Sequence, residues 1–274
     1  MSEHYSQYLR SNYLPTVWCS GCGNGVIVKS ITEAMQQVGW DRDGTVVVGG
    51  IGCSGRTPFY LDVNTMHTTH GRALAFATGV KMARPRFNVV VTMGDGDASG
   101  IGGNHFIHAC RRNIDLTAIV FDNSIYGQTG GQLAPTTPTG KVSTTSPNGS
   151  VDPSFDLCKL AQGAGASFVA RTSTFDFQEL QQLLERAFLH RGFALVEVMT
   201  ACPTYYGRMN GVRDPYAMLR EIQEITQGSN GGANGHGDGE PVDLNARPTG
   251  VFVDEIREEY TDIYRRRCEE AGSG

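Results

Sequence analysis

The 274-residue chain is 39% hydrophobic and 19% charged, with 35 glycines, which suits one large α/β domain with many turns and excludes a disordered or fibrous protein. Its net charge of −5 and the lack of a dense Lys/Arg cluster argue against nucleic acid or an acidic membrane surface as partner. Nothing resembles a signal peptide or a span of about 20 apolar residues, so a cytoplasmic protein is expected, and its seven cysteines point to metal or redox chemistry rather than a disulfide framework.

Polar and aromatic residues lead into Cys19-Ser20-Gly21-Cys22-Gly23, a Cys-x2-Cys knuckle whose glycines free the backbone to wrap a metal centre. A helix is expected from about Val26 to Val38. A short buried strand, Thr45 to Val48, then exits into the glycine-rich loop Gly49-Gly50-Ile51-Gly52-Cys53-Ser54-Gly55-Arg56. Further on come His67 and His70 and, after Gly71, a run of small residues that predicts a helix packed closely on a sheet. With no acidic neighbour in sequence, these histidines suit a cofactor contact or a satisfied loop role better than metal ligation.

The apolar run Val89 to Met93 delivers the chain into Gly94-Asp95-Gly96-Asp97, where the glycines permit a tight turn with backbone close to a ligand. A helix from about Gly102 would turn its free N–H groups and positive dipole end to that turn, which suits a phosphate, and Asp95 beside such an anion requires a cation. The next apolar run, Leu116 to Asp122, ends at Asn123. The 28 residues from Asp95 to Asn123 are the length of a turn, a helix, a loop and a parallel neighbour strand, so both side chains fall at one sheet edge. Asp95, the Asn123 amide oxygen and the Ile125 carbonyl then form half a shell for magnesium. Gly-Asp-Gly by itself is an ordinary strand-exit turn; paired with Asp122-Asn123 it matches the thiamin diphosphate motif, which begins Gly-Asp-Gly and ends in Asn.

After Ser124 to Gln132 a Pro/Thr/Ser-rich run extends to about Pro153 without apolar periodicity, as in a functional loop or an interface arm. Regular α/β pattern returns with a helix near Phe155 to Gln162, a strand near Ser167 to Ala170, a helix near Phe177 to His190 and the strand Ala194 to Met199, followed by Cys202-Pro203. The expected organisation is a cofactor domain over 1–226, a Gly-rich linker over 227–241 and a charged, helical C-terminal arm over 242–274. Cys19, Cys22, Cys53 and Cys202 all sit in loops or at strand exits, as a four-cysteine site for zinc or an iron–sulfur cluster requires. Zinc sites commonly pair two knuckles. One knuckle with two isolated cysteines, the last followed by proline, favours [4Fe-4S]. Cys110, Cys158 and Cys268 read as ordinary thiols.

The order Cys-x2-Cys-Gly, Gly-Ile-Gly-Cys-Ser, His-Gly-Arg, Gly-Asp-Gly-Asp, Asp-Asn-x-x-Tyr-Gly, Thr-Gly-Gly-Gln and Cys-Pro-Thr resembles the β subunit of 2-oxoacid:ferredoxin oxidoreductases over roughly residues 15 to 210, and the run Cys202 to Arg208 is similar to the 2-oxoglutarate type. The resemblance implies a thiamin diphosphate-binding α/β fold with a mostly parallel sheet, helices on both faces and long interface loops. It implies that Cys19, Cys22, Cys53 and Cys202 ligate one [4Fe-4S] cluster and that Asp95, Asn123 and Ile125 hold Mg2+. Ile51, Gly52, Cys53, Ser54, His70, Gly96, Asp97, Gly127 and Gln128 would line thiamin diphosphate. The implied reaction is coenzyme A-dependent oxidative decarboxylation of a 2-oxoacid, 2-oxoglutarate above pyruvate, with electrons passing through the cluster to ferredoxin, or the reverse carboxylation.

Some relatives carry a lysine where this chain has Gly130, and Arg56 is the substitute expected to meet the substrate carboxylate. Activity is expected only with an α subunit, as a dimer of αβ pairs. The glutamate that activates thiamin belongs to the pyrimidine-binding half of such enzymes, and Glu33, Glu179, Glu185 and Glu197 fall in helices or mid-strand. The rival readings are a plain thiamin-dependent decarboxylase, which leaves the cysteines unexplained, and a zinc-stabilised scaffold subunit.

Overall fold

The computed structural model describes residues 5–227 and 245–272, so most of the expected linker, residues 228–241, lies outside the described residues. Amphipathic and β-branched stretches alternate, and each takes the form its pattern favours. In chain order they are α1 (Asn24–Gln37), β1 (Thr45–Gly49), α2 (Thr57–Tyr60), β2 (Asn64–His67), α3 (Ala73–Ala83), β3 (Asn88–Gly94), α4 (Gly103–Arg112) and β4 (Leu116–Asp122). There follow β5 (Ile125–Tyr126), β6 (Gln132–Leu133), α5 (Leu157–Gly163), β7 (Phe168–Ser173), α6 (Phe177–Leu189), β8 (Phe193–Met199), α7 (Pro215–Gln227), β9 (Gly250–Asp254) and α8 (Tyr260–Gly272).

One seven-stranded sheet runs β2-β1-β3-β4-β8-β7-β9, and every neighbouring pair is parallel except β7 with β9. Strands buried on both faces need apolar residues at every position, and β3 shows how they are shared. Val89, Val91 and Met93 face a layer formed by α3, α4 and α5, while Val90 faces α1 and α6. The two helices of the second layer meet through stripes at helical spacing, Ile27, Ile31 and Ala34 on α1 and Leu180, Leu184 and Ala187 on α6. Leu184 is fully buried, which contributes roughly 1.5–3 kcal/mol. Asp156 and Asp176 start α5 and α6 as N-caps, each accepting from the backbone N–H three residues on at 3.0 Å.

The C-terminal segment departs from the expected helical arm. Residues 250–254 are a strand: β9 pairs antiparallel with β7 and completes the sheet edge, and only α8 beyond it is helical. Arg171 of β7 fixes this segment by donating to the Pro248 carbonyl at 3.2 Å. No described helix is long and apolar enough to cross a membrane.

From β1 the chain crosses through α2 to β2 on one side, and β3 then pairs on the other side of β1. Such a reversal of strand order opens a crevice beyond the carboxyl ends of the strands, the usual ligand position in open parallel sheets.

Candidate active site

Loops leaving β1, β3 and β4 meet in that crevice. The β1 loop folds so tightly that a Cβ on Gly55 would stand 2.2 Å from the Gly50 carbonyl oxygen, and one on Gly50 would stand 1.7 Å from Asp97 Oδ2. Asp97 is the brace between these loops. Its carboxylate pairs with the His70 ring and accepts from Gly71 N at 2.6 Å and Ile51 N at 3.3 Å. Asp97 stands in the cleft wall with its oxygens committed to the loops, and burial raises its pKa. Ile51, Gly52, Cys53, Ser54, His70, Gly96, Gly127 and Gln128 all line the cleft.

Asp95 follows the carboxyl end of β3 and Asn123 that of β4, with Gly94 paired to Phe121 in the parallel register, so the two residues stand side by side as their spacing predicts. Asp95 is 2% exposed, and burial pushes its carboxyl up to about 7 even though Thr136 and the backbone N–H groups of Gly96 and Asn123 donate to it. Asn123 Oδ1 accepts from Ile125 N at 3.2 Å. Burial, reinforced by the charges of Asp95 and Glu197, also drives Asp122 well above the carboxylate range. A pair of acids this poorly hydrated has a use for a cation, and the all-oxygen donor set of Asp95, Asn123 and nearby carbonyls suits magnesium. Between the Gly-Asp-Gly turn and α4 lies an irregular helical turn, Asp97–Ile101, so regular helix begins one residue later than expected, at Gly103.

Tyr126, Asn24 and Thr136 are site residues that the sequence reading did not single out. Tyr126 donates from its hydroxyl to the Gly96 carbonyl at 3.0 Å and lines the cleft. Asn24, the first residue of α1, is 2% exposed and has an amide oxygen with no partner among the described residues. Ser54 Oγ, also in the cleft wall, is buried and unpartnered in the same way. Thr136 comes from the Pro/Thr/Ser-rich run, which packs back here: Thr137 Oγ1 donates to the Ser124 carbonyl at 2.6 Å.

A second cleft shares a wall with the first. Asn24, Cys53, Asn123, Gly127 and Gln128 line both, while Cys19, Cys22 and Cys202 line only the second. The knuckle is seated by Ala201 N, which donates to the Cys22 carbonyl at 3.2 Å, and by Trp18 Nε1, which donates to the Cys53 carbonyl at 2.8 Å. Thr204 Oγ1 lies 3.0 Å from Cys19 Sγ. Burial pushes the Cys53 thiol up to about 11, and Cys19, Cys22, Cys53 and Cys202 line one common cleft. Tetrahedral zinc with sulfurs at about 2.3 Å would hold them about 3.8 Å apart. Among the described residues no three of these sulfurs lie within 4.8 Å of one another, a set better matched to a cluster that offers each cysteine its own iron. Arg56 lines this second cleft and not the first, with its guanidinium 5.7 Å from the centroid of the Phe59 ring.

Residues 50–198 match the thiamine pyrophosphate enzyme C-terminal TPP-binding domain family. The 2-oxoglutarate synthase subunit KorB of Archaeoglobus fulgidus is 51% identical over 263 residues, 96% of this chain and 93% of that one. The chain belongs to the 2-oxoacid:ferredoxin oxidoreductase β subunits. A further member, subunit beta of 2-oxoacid:ferredoxin oxidoreductase 2 from Aeropyrum pernix, is 45% identical over 69% of this chain and 61% of its own length. The solved 2-oxoglutarate:ferredoxin oxidoreductase from Magnetococcus marinus, with 2-oxoglutarate, coenzyme A and succinyl-CoA bound, superposes with a TM-score of 0.85 at 30% identity, covering 98% of this chain and 90% of that one. Family membership makes the chain the β subunit of a thiamin diphosphate-dependent oxidoreductase and gives the shared crevice its first occupant. The buried, cation-seeking Asp95, the unpartnered Ser54 hydroxyl and the glycine-lined walls fit a diphosphate carried with a metal ion.

Proposed function

We propose that this β subunit, joined to an α subunit, carries out the coenzyme A-dependent oxidative decarboxylation of 2-oxoglutarate to succinyl-CoA and carbon dioxide. The two electrons released leave singly through a [4Fe-4S] cluster to ferredoxin, and the same centres serve the reverse carboxylation. The observation that carries this reading is the shared wall: Cys53, Asn24, Asn123, Gly127 and Gln128 face both the diphosphate cleft and the cysteine cleft. Electron transfer needs a short gap between donor and acceptor, and a single layer of side chains provides it.

Cys19, Cys22, Cys53 and Cys202 would hold the cluster, and Asp95, Asn123 and the Ile125 carbonyl would hold Mg2+. Thiamin diphosphate, when bound, supplies the carbanion that attacks the 2-oxo carbon and the electron sink for loss of carbon dioxide. The work of the chain itself is to position and to exclude water. Asp97 fixes the β1 loop to the His70-Gly71 turn, Tyr126 closes over Gly96, and burial raises the Cys22, Cys53 and Cys202 thiols, so metal binding there would displace protons. Among the described residues, no glutamate lines the diphosphate cleft, which supports a site completed by the α subunit's pyrimidine-binding half. The chain would work in the cytoplasm as a dimer of αβ pairs.

Anaerobic αβ complex should contain iron and thiamin and reduce methyl viologen in the presence of both 2-oxoglutarate and coenzyme A, whereas the isolated chain should not. Pyruvate supporting the faster rate would overturn the substrate assignment. Turnover by the isolated chain, free of α subunit by mass spectrometry, would overturn the shared site.

A further inference from the structure

Asp95 lines the diphosphate cleft, but Thr136, whose hydroxyl donates to Asp95 Oδ2, does not. Thr136 instead lines a separate cavity with Asn123, Tyr206 and Arg247, and Asp95 does not line that cavity. The hydroxyl therefore reaches Asp95 from outside the cleft and can act on a bound cation only through the carboxylate. The other donors to Asp95 are backbone N–H groups, those of Gly96 and Asn123, which come with the turn and the strand exit. Ser99 Oγ pins the Asp95 backbone by donating to its carbonyl at 2.6 Å. What Thr136 adds is a fixed orientation of the side chain.

Thr136 is itself held from a distance. It is 1% exposed, and its carbonyl accepts from Ser154 Oγ at 2.6 Å, while the Pro135 carbonyl accepts from Phe155 N at 2.8 Å. Residues 135–136 are thereby laced to residues 154–155, just ahead of α5. Arg247, buried and four positions before the paired residue Val251 of β9, closes the arrangement. Its Nη2 donates to Ser154 Oγ and to the Phe155 carbonyl, the latter at 3.2 Å. A chain of hydrogen bonds thus runs from Arg247 through Ser154 and Thr136 to Asp95. A hydroxyl on backbone fixed in this way loses little freedom when it binds, and a hydrogen bond to a buried carboxylate is of the strong, charge-assisted kind.

We propose that Thr136 is a positioning residue for the Asp95 carboxylate, and that Arg247, acting through Ser154, holds Thr136 in place, so that the segment leading into β9 sets the affinity of the cleft for its divalent cation. The proposal rests on the reading of Asp95 as a magnesium ligand. Magnesium demands near-ideal ligand geometry, so a carboxylate free to turn binds it less well than one already aimed. An outer partner of this kind touches neither the cation nor the diphosphate and acts by fixing the residue that does.

The test uses the αβ complex freed of magnesium with EDTA and titrated with Mg2+ at constant thiamin diphosphate, with retained thiamin measured by fluorescence after gel filtration. Thr136→Val, which keeps the shape and removes the hydroxyl, should raise the Mg2+ concentration for half-maximal retention roughly tenfold. The plateau at saturating Mg2+ should equal that of wild type, which a merely misfolded site would not reach, and Thr136→Ser should restore the wild-type midpoint. Ser154→Ala should shift the midpoint the same way by a smaller factor, roughly threefold, and serves if Thr136→Val disturbs assembly. Combining Ser154→Ala with Thr136→Val should add nothing to Thr136→Val alone, because the first acts through the second. A wild-type midpoint in Thr136→Val, or Thr136→Ser as impaired as Thr136→Val, would overturn the positioning role. A wild-type midpoint in Ser154→Ala, or additive shifts in the double variant, would overturn the link to Arg247. Asp95→Asn with the wild-type midpoint would instead overturn Asp95 as the magnesium ligand.

Discussion

Tyr126 closes directly over Gly96: its hydroxyl donates to the Gly96 carbonyl at 3.0 Å, and a methyl group on Gly96 would stand 2.3 Å from the ring carbon Cε1. Gly100 meets the same side chain, with a Cβ position 2.3 Å from the Tyr126 hydroxyl. The second glycine of the Gly-Asp-Gly turn is therefore required by a tyrosine thirty residues away as well as by any ligand. Gly96→Ala should force Tyr126 out of place, lower stability by about 1–3 kcal/mol and reduce retained thiamin diphosphate. Gly103→Ala, where a Cβ meets nothing within 4 Å, is the control and should leave both unchanged. Thermal melts and fluorescence assay of bound thiamin check this pair.

Asp95 makes the metal-free chain pH-sensitive. Burial raises its pKa from 3.8 to about 7, so the folded state holds the proton more tightly than the unfolded state does. The resulting stability is complete below pH about 4 and is lost as pH rises through about 7, at up to about 1.4 kcal/mol per pH unit. Asp122, raised by burial as well, acts in the same direction. Denaturant midpoints of the metal-free chain should fall between pH 5 and pH 8, Asp95→Asn should flatten part of that slope, and the same variant should no longer retain Mg2+ and thiamin diphosphate. A wild-type midpoint independent of pH over this range would contradict the account.

Cys202 and Cys110 are both buried thiols but differ in company. Cys202 lines the cleft with Cys19, Cys22 and Cys53, whereas Cys110 packs in α4 against the apolar layer that contains Phe106 and Ala109. Cys202→Ala should lower iron content and the ferredoxin-linked rate sharply. Cys110→Ala should keep both and lose about 1–2 kcal/mol of stability to the small cavity. Iron analysis of anaerobically purified holoenzyme separates them.

The parallel strands and the turns they feed were legible in sequence because β-branched runs ending in Gly-rich loops carry a local pattern, as in Val89 to Gly96. Asp95 and Asn123 could be paired from spacing alone because a strand–helix–strand unit has a fixed length, and Asn24 carried the weaker signal of lying two residues after Cys22. What could not be read depends on distant chain. Thr136 is one threonine among many in an irregular run, and only the fold turns it toward Asp95. The strand β2 is short, polar and partly exposed at the sheet edge, so it lacks an apolar signature. The alternating Val251 and Val253 of β9 sit in a charged tail, and their partner strand lies some eighty residues earlier.

That partner strand also carries a deeply buried cation. Arg171, 1% exposed, donates to Glu197 Oε2 at 2.8 Å, pairs with Asp156, donates to the Pro248 carbonyl and lies 5.5 Å from the centroid of the Phe252 ring. Glu197 is fully buried, and the Cys158 thiol donates to the same oxygen at 3.1 Å. One guanidinium thus joins β7, β8, the start of α5 and the C-terminal segment. Two opposite charges withdrawn from water stabilise little as a pair, but removing one strands the other. Arg171→Met should therefore cost about 3–5 kcal/mol and loosen the C-terminal segment, detected as faster amide exchange across β9. Adding Glu197→Leu to that variant removes the stranded carboxylate and should recover most of the loss, with the Asp156 cap remaining at the more accessible end of α5. Additive costs in the double variant would show that Arg171 acts by packing alone and not by holding the Glu197 charge.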